Sequence, residues 1–280
     1  MRCWEEILES LSISWQMQTV LTIAGFDPSS GAGVTADLMV FAAHGLFGVS
    51  CITGLTVQST VGVRGLHPVS GDVVRATLDC LQDDLALDGV KIGMLGTAEN
   101  VAAVADFLSE LRGAGRRVPV VLDPVLRSSS GRELLEAKGV VLMRERLLPL
   151  VDWVTPNLDE LGVLTGRRVV ERGDMTAAAL ALREGYGGLN IFATGGHLAV
   201  PDDLVVTAHG ERWLAGRRVE SRSTHGTGCA LSSALLCGCV LGDADVALAA
   251  KVYVTEAIRS AEAFGKGTGP VNPLWPLRRG

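Results

Sequence analysis

Residues 223–234 read STHGTGCALSSA. Gly226 and Gly228 flank Thr227, and an apolar run with helical spacing (Cys229, Leu231, Ala234, Leu235) follows at once. Glycine lets the backbone turn tightly and approach a ligand closely. A helix starting there leaves unpaired N–H groups and a positive dipole end aimed at the turn. Together they form an anion hole. The thiol of Cys229 stands in it, where such a dipole would lower its pKa. A glycine-rich connection into a core helix is the plain alternative.

A second glycine turn lies near the start, in TVLTIAGFDPSSGAGVTADLMVFAAHG. Val20–Ala24 is a short apolar run suited to a buried strand. Residues 25–33 are rich in Gly, Pro, Ser and Asp and form a loop. Val34–His44 carries apolar residues at helical spacing. Strand, glycine loop and helix make a ligand-binding βα turn, although neither common nucleotide fingerprint is present.

These turns need elements to position them. Strand candidates are Val20–Ala24, Val49–Thr53, Val63–Val69, Gly89–Ile92, Val118–Leu122, Trp153–Thr155, Asn190–Ala193, Leu204–Ala208 and Arg212–Ala215. Helix candidates are Val34–His44, Gly71–Leu85, Ala98–Gly113, Val140–Leu148, Leu158–Thr165, Met175–Tyr186, Cys229–Leu241 and Asp245–Ala263. Such alternation predicts an α/β fold, a mostly parallel sheet with helices on both faces. Ligands of these sheets sit outside the carboxyl ends of the strands. Every motif follows a strand candidate or opens a helix, so all are expected at one edge.

The 280 residues are 48% hydrophobic with 34 glycines, enough for a large core. No linker, repeat or charge block divides them. The net charge is −6 and no basic cluster exceeds two residues, which argues against nucleic acid or an anionic membrane as partner. No apolar run reaches the ~18 residues of a membrane helix. The acidic N-terminus is unlike a secretory signal, so the chain reads as cytoplasmic. Six cysteines show no metal-site spacing. Cys51, Cys80, Cys237 and Cys239 read as small core residues.

The segments AGFDPSSGAG at 24–33, KIGML at 91–95, LDPV at 122–125, TPNLDE at 155–160, TGGH at 194–197 and HGTGC at 225–229 together resemble the hydroxymethylpyrimidine and phosphomethylpyrimidine kinases of thiamine biosynthesis. These are members of the ribokinase-like superfamily, with a three-layer α/β/α fold. The resemblance runs from about Met17 to the C-terminus. It implies one kinase domain over 17–280, with residues 1–16 an extension of unknown role, either a short helix or an artefact of start-codon choice. It also implies ATP and Mg2+ as cofactors, a small pyrimidine as acceptor, and a homodimer.

The resemblance assigns roles residue by residue. Gly25, Asp27, Ala32, Gly33 and Asp37 would enclose the pyrimidine, with Asp37 near its polar groups. The bland readings are Asp27 as a turn initiator and Asp37 as an exposed helix residue. Gln58 would hydrogen-bond the ring, an amide offering both donor and acceptor. Met94 and Val125 would line the pocket, or simply fill core. Asp123, Asn157, Thr194, Gly196 and Arg127 would face ATP. Asp123 and Glu160 would serve the metal, Glu160 either directly or through water, with helix capping by Asn157 as the simpler reading. Gly226, Thr227, Gly228 and Cys229 would form the transfer site, with Cys229 either a thiolate base or only shaping the hole. His225 would shape the turn.

The departures are Thr194 where the family commonly has lysine, Arg127 where an apolar residue is usual, and Phe26 in place of a small hydroxyl residue. Arg127 is a candidate to offset the lost lysine charge. A pyridoxal or pyridoxine kinase is the nearest alternative, and a non-catalytic pyrimidine or vitamin sensor is an alternative of another class.

Overall fold

A computed structural model describes residues 17–128 and 131–278. The expected N-terminal extension, 1–16, lies outside the described residues. The ordered elements are β1 (Thr19–Phe26), α1 (Gly33–Ala43), β2 (Phe47–Ser59), β3 (Gly62–Pro68), α2 (Gly71–Asp84), β4 (Gly89–Ile92), α3 (Ala98–Gly113), β5 (Val120–Leu122), α4 (Ala137–Leu142), β6 (Trp153–Val154), α5 (Leu158–Thr165), α6 (Arg172–Gly185), β7 (Asn190–Ala193), β8 (Asp203–Thr207), β9 (Gly210–Leu214), α7 (Thr227–Leu241) and α8 (Val246–Arg259).

The strands form one sheet in the order β3-β2-β1-β4-β5-β6-β7-β8-β9. Pairings from β2 through β1 and β4 to β7 are parallel. The β2–β3, β7–β8 and β8–β9 pairings at the two edges are antiparallel. The central strands read as predominantly apolar runs because both faces are covered, with Thr22 and Lys91 as buried polar exceptions. One core holds Leu21, Ile23, Ile92, Phe107 and Leu161; the other holds Val20, Phe41, Val121, Phe192 and Leu235. Residues of opposite parity on one strand thus serve opposite layers.

The register sets the site. Cys51, Ile23, Ile92, Leu122, Val154 and Ile191 stand side by side across the parallel strands. The chain therefore leaves the sheet at nearly one level, and the loops after β1, β4, β5, β6 and β7 share the carboxyl edge.

Three boundaries differ from the sequence expectation by more than three residues. β2 runs to Ser59 rather than ending at Thr53. Its outer half is a polar and apolar alternation whose main backbone pairing is with its hairpin partner β3. α4 ends at Leu142 and continues as a π turn and a short 3-10 turn, because Pro149 has no N–H to continue the helix. α8 stops at Arg259, not Ala263. The returning chain places Asn272 N–H on Ala257 O at 2.9 Å, the carbonyl that Ala261 would otherwise use.

Candidate active site

The two glycine turns interlock. Gly226, the N-cap of α7, has φ +84°, and a Cβ there would lie 1.7 Å from Gly31 O. Gly33 has φ +62°, and its Cβ would lie 2.1 Å from Gly25 O. Only glycine fits such left-handed close approaches. Met94 closes the floor, its methyl lying 2.3 Å from where a Cβ on Gly25 would be.

Asp27, Gln58 and His225 meet where the turns join. His225 Nε2 donates to Asp27 Oδ2 at 2.7 Å. Gln58 Nε2 donates to the same oxygen at 3.3 Å and lies 3.0 Å from His225 Nε2. Ser29 N–H and Oγ donate to Asp27 Oδ1, and Ala32 N–H to Oδ2. Burial works to raise the Asp27 pKa, but the hydrogen bonds from His225 and Ser29 outweigh it, so the carboxyl stays below the usual range. Asp27 is thus an ionised acceptor in a polar wall near Met94, which packs against Gly25, while Val125 is half-buried beyond β5. Gln58 belongs to the β2 extension rather than to an exposed loop.

The transfer end lies at the start of α7, whose N-terminus no side chain caps. Asp123, just beyond β5, faces it: a Cβ on Gly228 would lie 3.6 Å from Asp123 Oδ2, and Ser232 Oγ donates to that oxygen at 3.4 Å. Burial, opposed by Lys91 and reinforced by Asp37, pushes Asp123 up to about 6. Glu160 is pushed up to about 8, first by burial and then by the Asp123 charge. Asn157 and Glu160 form a capping box, with Glu160 Oε2 accepting from Asn157 N–H and Asn157 Oδ1 from Glu160 N–H, both at 2.9 Å. Capping does not put Glu160 in solvent; the residue is 7% exposed.

Two expectations are corrected here. Cys229 was expected to be a thiol acidified by the helix dipole. Burial pushes it up to about 12, with Asp123 and Asp37 adding to the rise and only Lys91 and the Gly33 N–H opposing it. The neutral thiol instead hydrogen-bonds Asp123. Asp37 was expected beside the pyrimidine. It is fully buried and spends its carboxylate on Thr22 Oγ1 at 2.6 Å, Lys91 Nζ at 2.9 and 3.0 Å, and Ser233 Oγ at 2.8 Å.

Lys91 is a buried charge beside the site that the sequence reading did not single out. Its ammonium is fully buried and lies 2.8 Å from the Cβ position of Gly93, under the turn after β4. Despite desolvation, Asp37, Cys229 and Asp123 together keep it protonated. Its signal was visible: a lone lysine in the apolar run GVKIGML, with Thr22 its register partner on β1.

Thr194 sits beside Asn157 in a parallel bridge, and Gly196 is exposed in the same loop. Arg127 is 66% exposed and paired with Glu133 at 3.5 Å. The positive charge acting on Asp123 and Cys229 comes from Lys91.

Among the described residues no three metal-ligating side chains cluster. Mg2+ does not require that, since it keeps waters and takes phosphate oxygens beside one or two carboxylates. Asp123 and Glu160, both buried and with the Asp123 charge raising the proton affinity of Glu160, are a hard-oxygen donor pair that suits such an ion.

A mostly parallel α/β sheet that gathers an open helix N-terminus, a buried carboxylate pair and a polar wall at its carboxyl edge is the framework of a small-molecule kinase. The profile of the phosphomethylpyrimidine kinase family matches residues 27–272. The chain belongs to that family. It is 42% identical to a hydroxymethylpyrimidine/phosphomethylpyrimidine kinase of Streptomyces coelicolor, over 92% of this chain and 95% of the relative. It is 38% identical to the enzyme of the same description from Haemophilus influenzae, over 91% and 96%. Among solved structures, phosphomethylpyrimidine kinase from Clostridium difficile matches with a TM-score of 0.75 at 30% identity, covering 86% of this chain and 99% of that one. A pyridoxal kinase from Staphylococcus aureus in complex with ADP matches with a TM-score of 0.84 at 27% identity, over 94% and 95%.

Proposed function

We propose that this chain transfers the γ-phosphoryl group of ATP to the hydroxymethyl oxygen of 4-amino-5-hydroxymethyl-2-methylpyrimidine, and then to the resulting monophosphate. The observation that carries the reading is the placement of the Asp27–Gln58–His225 wall beside the N-terminus of α7. The wall offers an ionised acceptor and an amide to an aminopyrimidine edge. The α7 turn offers unpaired N–H groups to the phosphoryl oxygens as charge shifts between them.

Phosphoryl transfer asks for positioning and charge neutralisation more than for covalent help. The bond from the γ-phosphorus to the bridging oxygen breaks and a bond to the hydroxymethyl oxygen forms. The hydroxyl proton leaves toward the phosphate oxygens, because the Cys229 thiol keeps its own proton. Asp123 and Glu160 would hold Mg2+, which, when bound, neutralises the triphosphate charge. Asn157 fixes Glu160, and Lys91 keeps positive charge beneath Asp123. Thr194 and Gly196 would border the nucleotide.

The reading includes a homodimer and a cytoplasmic enzyme with no nucleic-acid or membrane partner. No described helix is long and apolar enough to cross a membrane. Leu55, Val57 and Val61 on the β2–β3 hairpin are exposed apolar residues that a second copy would cover.

The test is turnover with Mg-ATP on the pyrimidine, its monophosphate and pyridoxal. The expected result is the highest kcat/KM on the two pyrimidines. Preference for pyridoxal would assign the chain to the other vitamin, and no turnover on any of the three would leave a sensor.

A further inference from the structure

The glycine-rich segment after α8, FGKGTGPV at 264–271, touches both halves of the Asp27 wall. On one side it reaches the tip of the β2–β3 hairpin. Thr268 N–H donates to Thr60 O at 2.9 Å, and Gly267 N–H to Thr60 Oγ1 at 3.4 Å. On the other side it runs beside the anion turn. His225 N–H donates to Gly269 O at 3.0 Å, and Val271 N–H to His225 O at 3.1 Å. Thr60 stands two residues beyond Gln58. One short segment therefore grips the neighbours of both groups that converge on Asp27.

The approach leaves no room for side chains. A Cβ on Gly267 would lie 2.0 Å from Thr60 O, and one on Gly265 2.3 Å from Thr60 Oγ1. The first obstacle is backbone and has no rotamer to move aside.

We propose that residues 265–269 are a strap, and that Thr60 and Gly267 are positioning residues that bring Gln58 and His225 together on Asp27 and so set acceptor affinity without entering the transfer step. The proposal rests on the reading of Asp27, Gln58 and His225 as the acceptor wall. It separates two quantities that a general loss of structure would move together. Loosening the strap weakens the acceptor side, while the Asp123–Glu160 end, carried by β5 and α5, keeps its geometry.

The experiment compares Gly267→Ala, Thr60→Ala and Gln58→Leu. In Gly267→Ala the KM for the hydroxymethylpyrimidine is expected to rise about tenfold or more, with KM for ATP and kcat at saturating acceptor within about twofold. Amide exchange should quicken around 56–64 and 224–226 and stay unchanged in β4 to β7. Thr60→Ala, which adds no atom, should raise the same KM by less, and it decides the matter if Gly267→Ala does not fold. Equal changes in both KM values, a fall in kcat alone, or unchanged kinetics would overturn the strap. If Gln58→Leu also leaves the acceptor KM unchanged, the failure belongs to the wall itself; if Gln58→Leu raises it and the strap variants do not, only the strap is wrong.

Discussion

Lys91 Nζ and Asp37 Oδ2 form an ion pair 2.9 Å long with both side chains fully buried, although 54 residues separate them in the chain. The pair ties β1, α1, β4 and α7 together through Thr22 and Ser233. It also leaves a positive charge beneath Asp123 and Cys229.

Breaking that pair from either side should destabilise the fold by about 3–5 kcal/mol, because a lone buried charge remains. Lys91→Met with Asp37→Leu should recover much of this stability in denaturant titration. It should not recover kcat, since the charge under the transfer site is gone. A double variant as active as the parent would show that Lys91 is structural only.

Stability is expected to depend on pH through Glu160. Its folded pKa, about 8, is above the ordinary 4.5. The folded state therefore holds a proton the unfolded chain has released, and stability falls as pH rises from about 4.5 to 8. Asp123 adds a smaller fall between 3.8 and about 6. Thermal melts should show this slope in metal-free protein, a larger gain from Mg2+ at pH 8 than at pH 5.5, and a flatter profile in Glu160→Gln. An unchanged Mg2+ response in that variant would remove Glu160 from the metal end.

Cys229→Ala should lose less than about tenfold in kcat, well short of the 10²–10⁴-fold that general-base assistance supplies. The thiol is protonated at neutral pH, so alkylation near pH 7 should be slow. A loss within the general-base range would reinstate the thiolate.

Gln58→Leu leaves acceptor polar atoms unpaired, with an expected cost of about 1–3 kcal/mol in kcat/KM for the pyrimidine. Steady-state kinetics with the pyrimidine and with pyridoxal should show a larger loss for the pyrimidine. Equal losses would mean that Gln58 does not discriminate between the rings.

Much of the fold was legible because a parallel sheet buried on both faces needs predominantly apolar runs, and Val20–Ala24, Gly89–Ile92 and Asn190–Ala193 are such runs despite Thr22, Lys91 and Asn190. The glycine turns were legible because left-handed backbone and close approach leave few other choices, as at Gly33 and Gly226. The outer half of β2 was hidden, since its alternation gains meaning only when β3 pairs with it.

The sequence by itself determined which residue types stand at the carboxyl edge: two glycine turns, Asp27, Gln58, Asp123, Asn157 with Glu160, and Cys229 at a helix start. Tertiary structure alone decided their chemical states. Asp37 reads as a pyrimidine-side or exposed helix residue until Lys91, Thr22 and Ser233 close around it. Cys229 reads as an acidified thiol until burial, with Asp123 and Asp37 adding to it, outweighs Lys91 and the Gly33 N–H. Glu160 reads as a metal-side or solvent-facing helix residue, and its raised proton affinity is set only by burial and the Asp123 charge. Desolvation and charge–charge energies depend on distances across the fold, and spacing along the chain does not contain those distances.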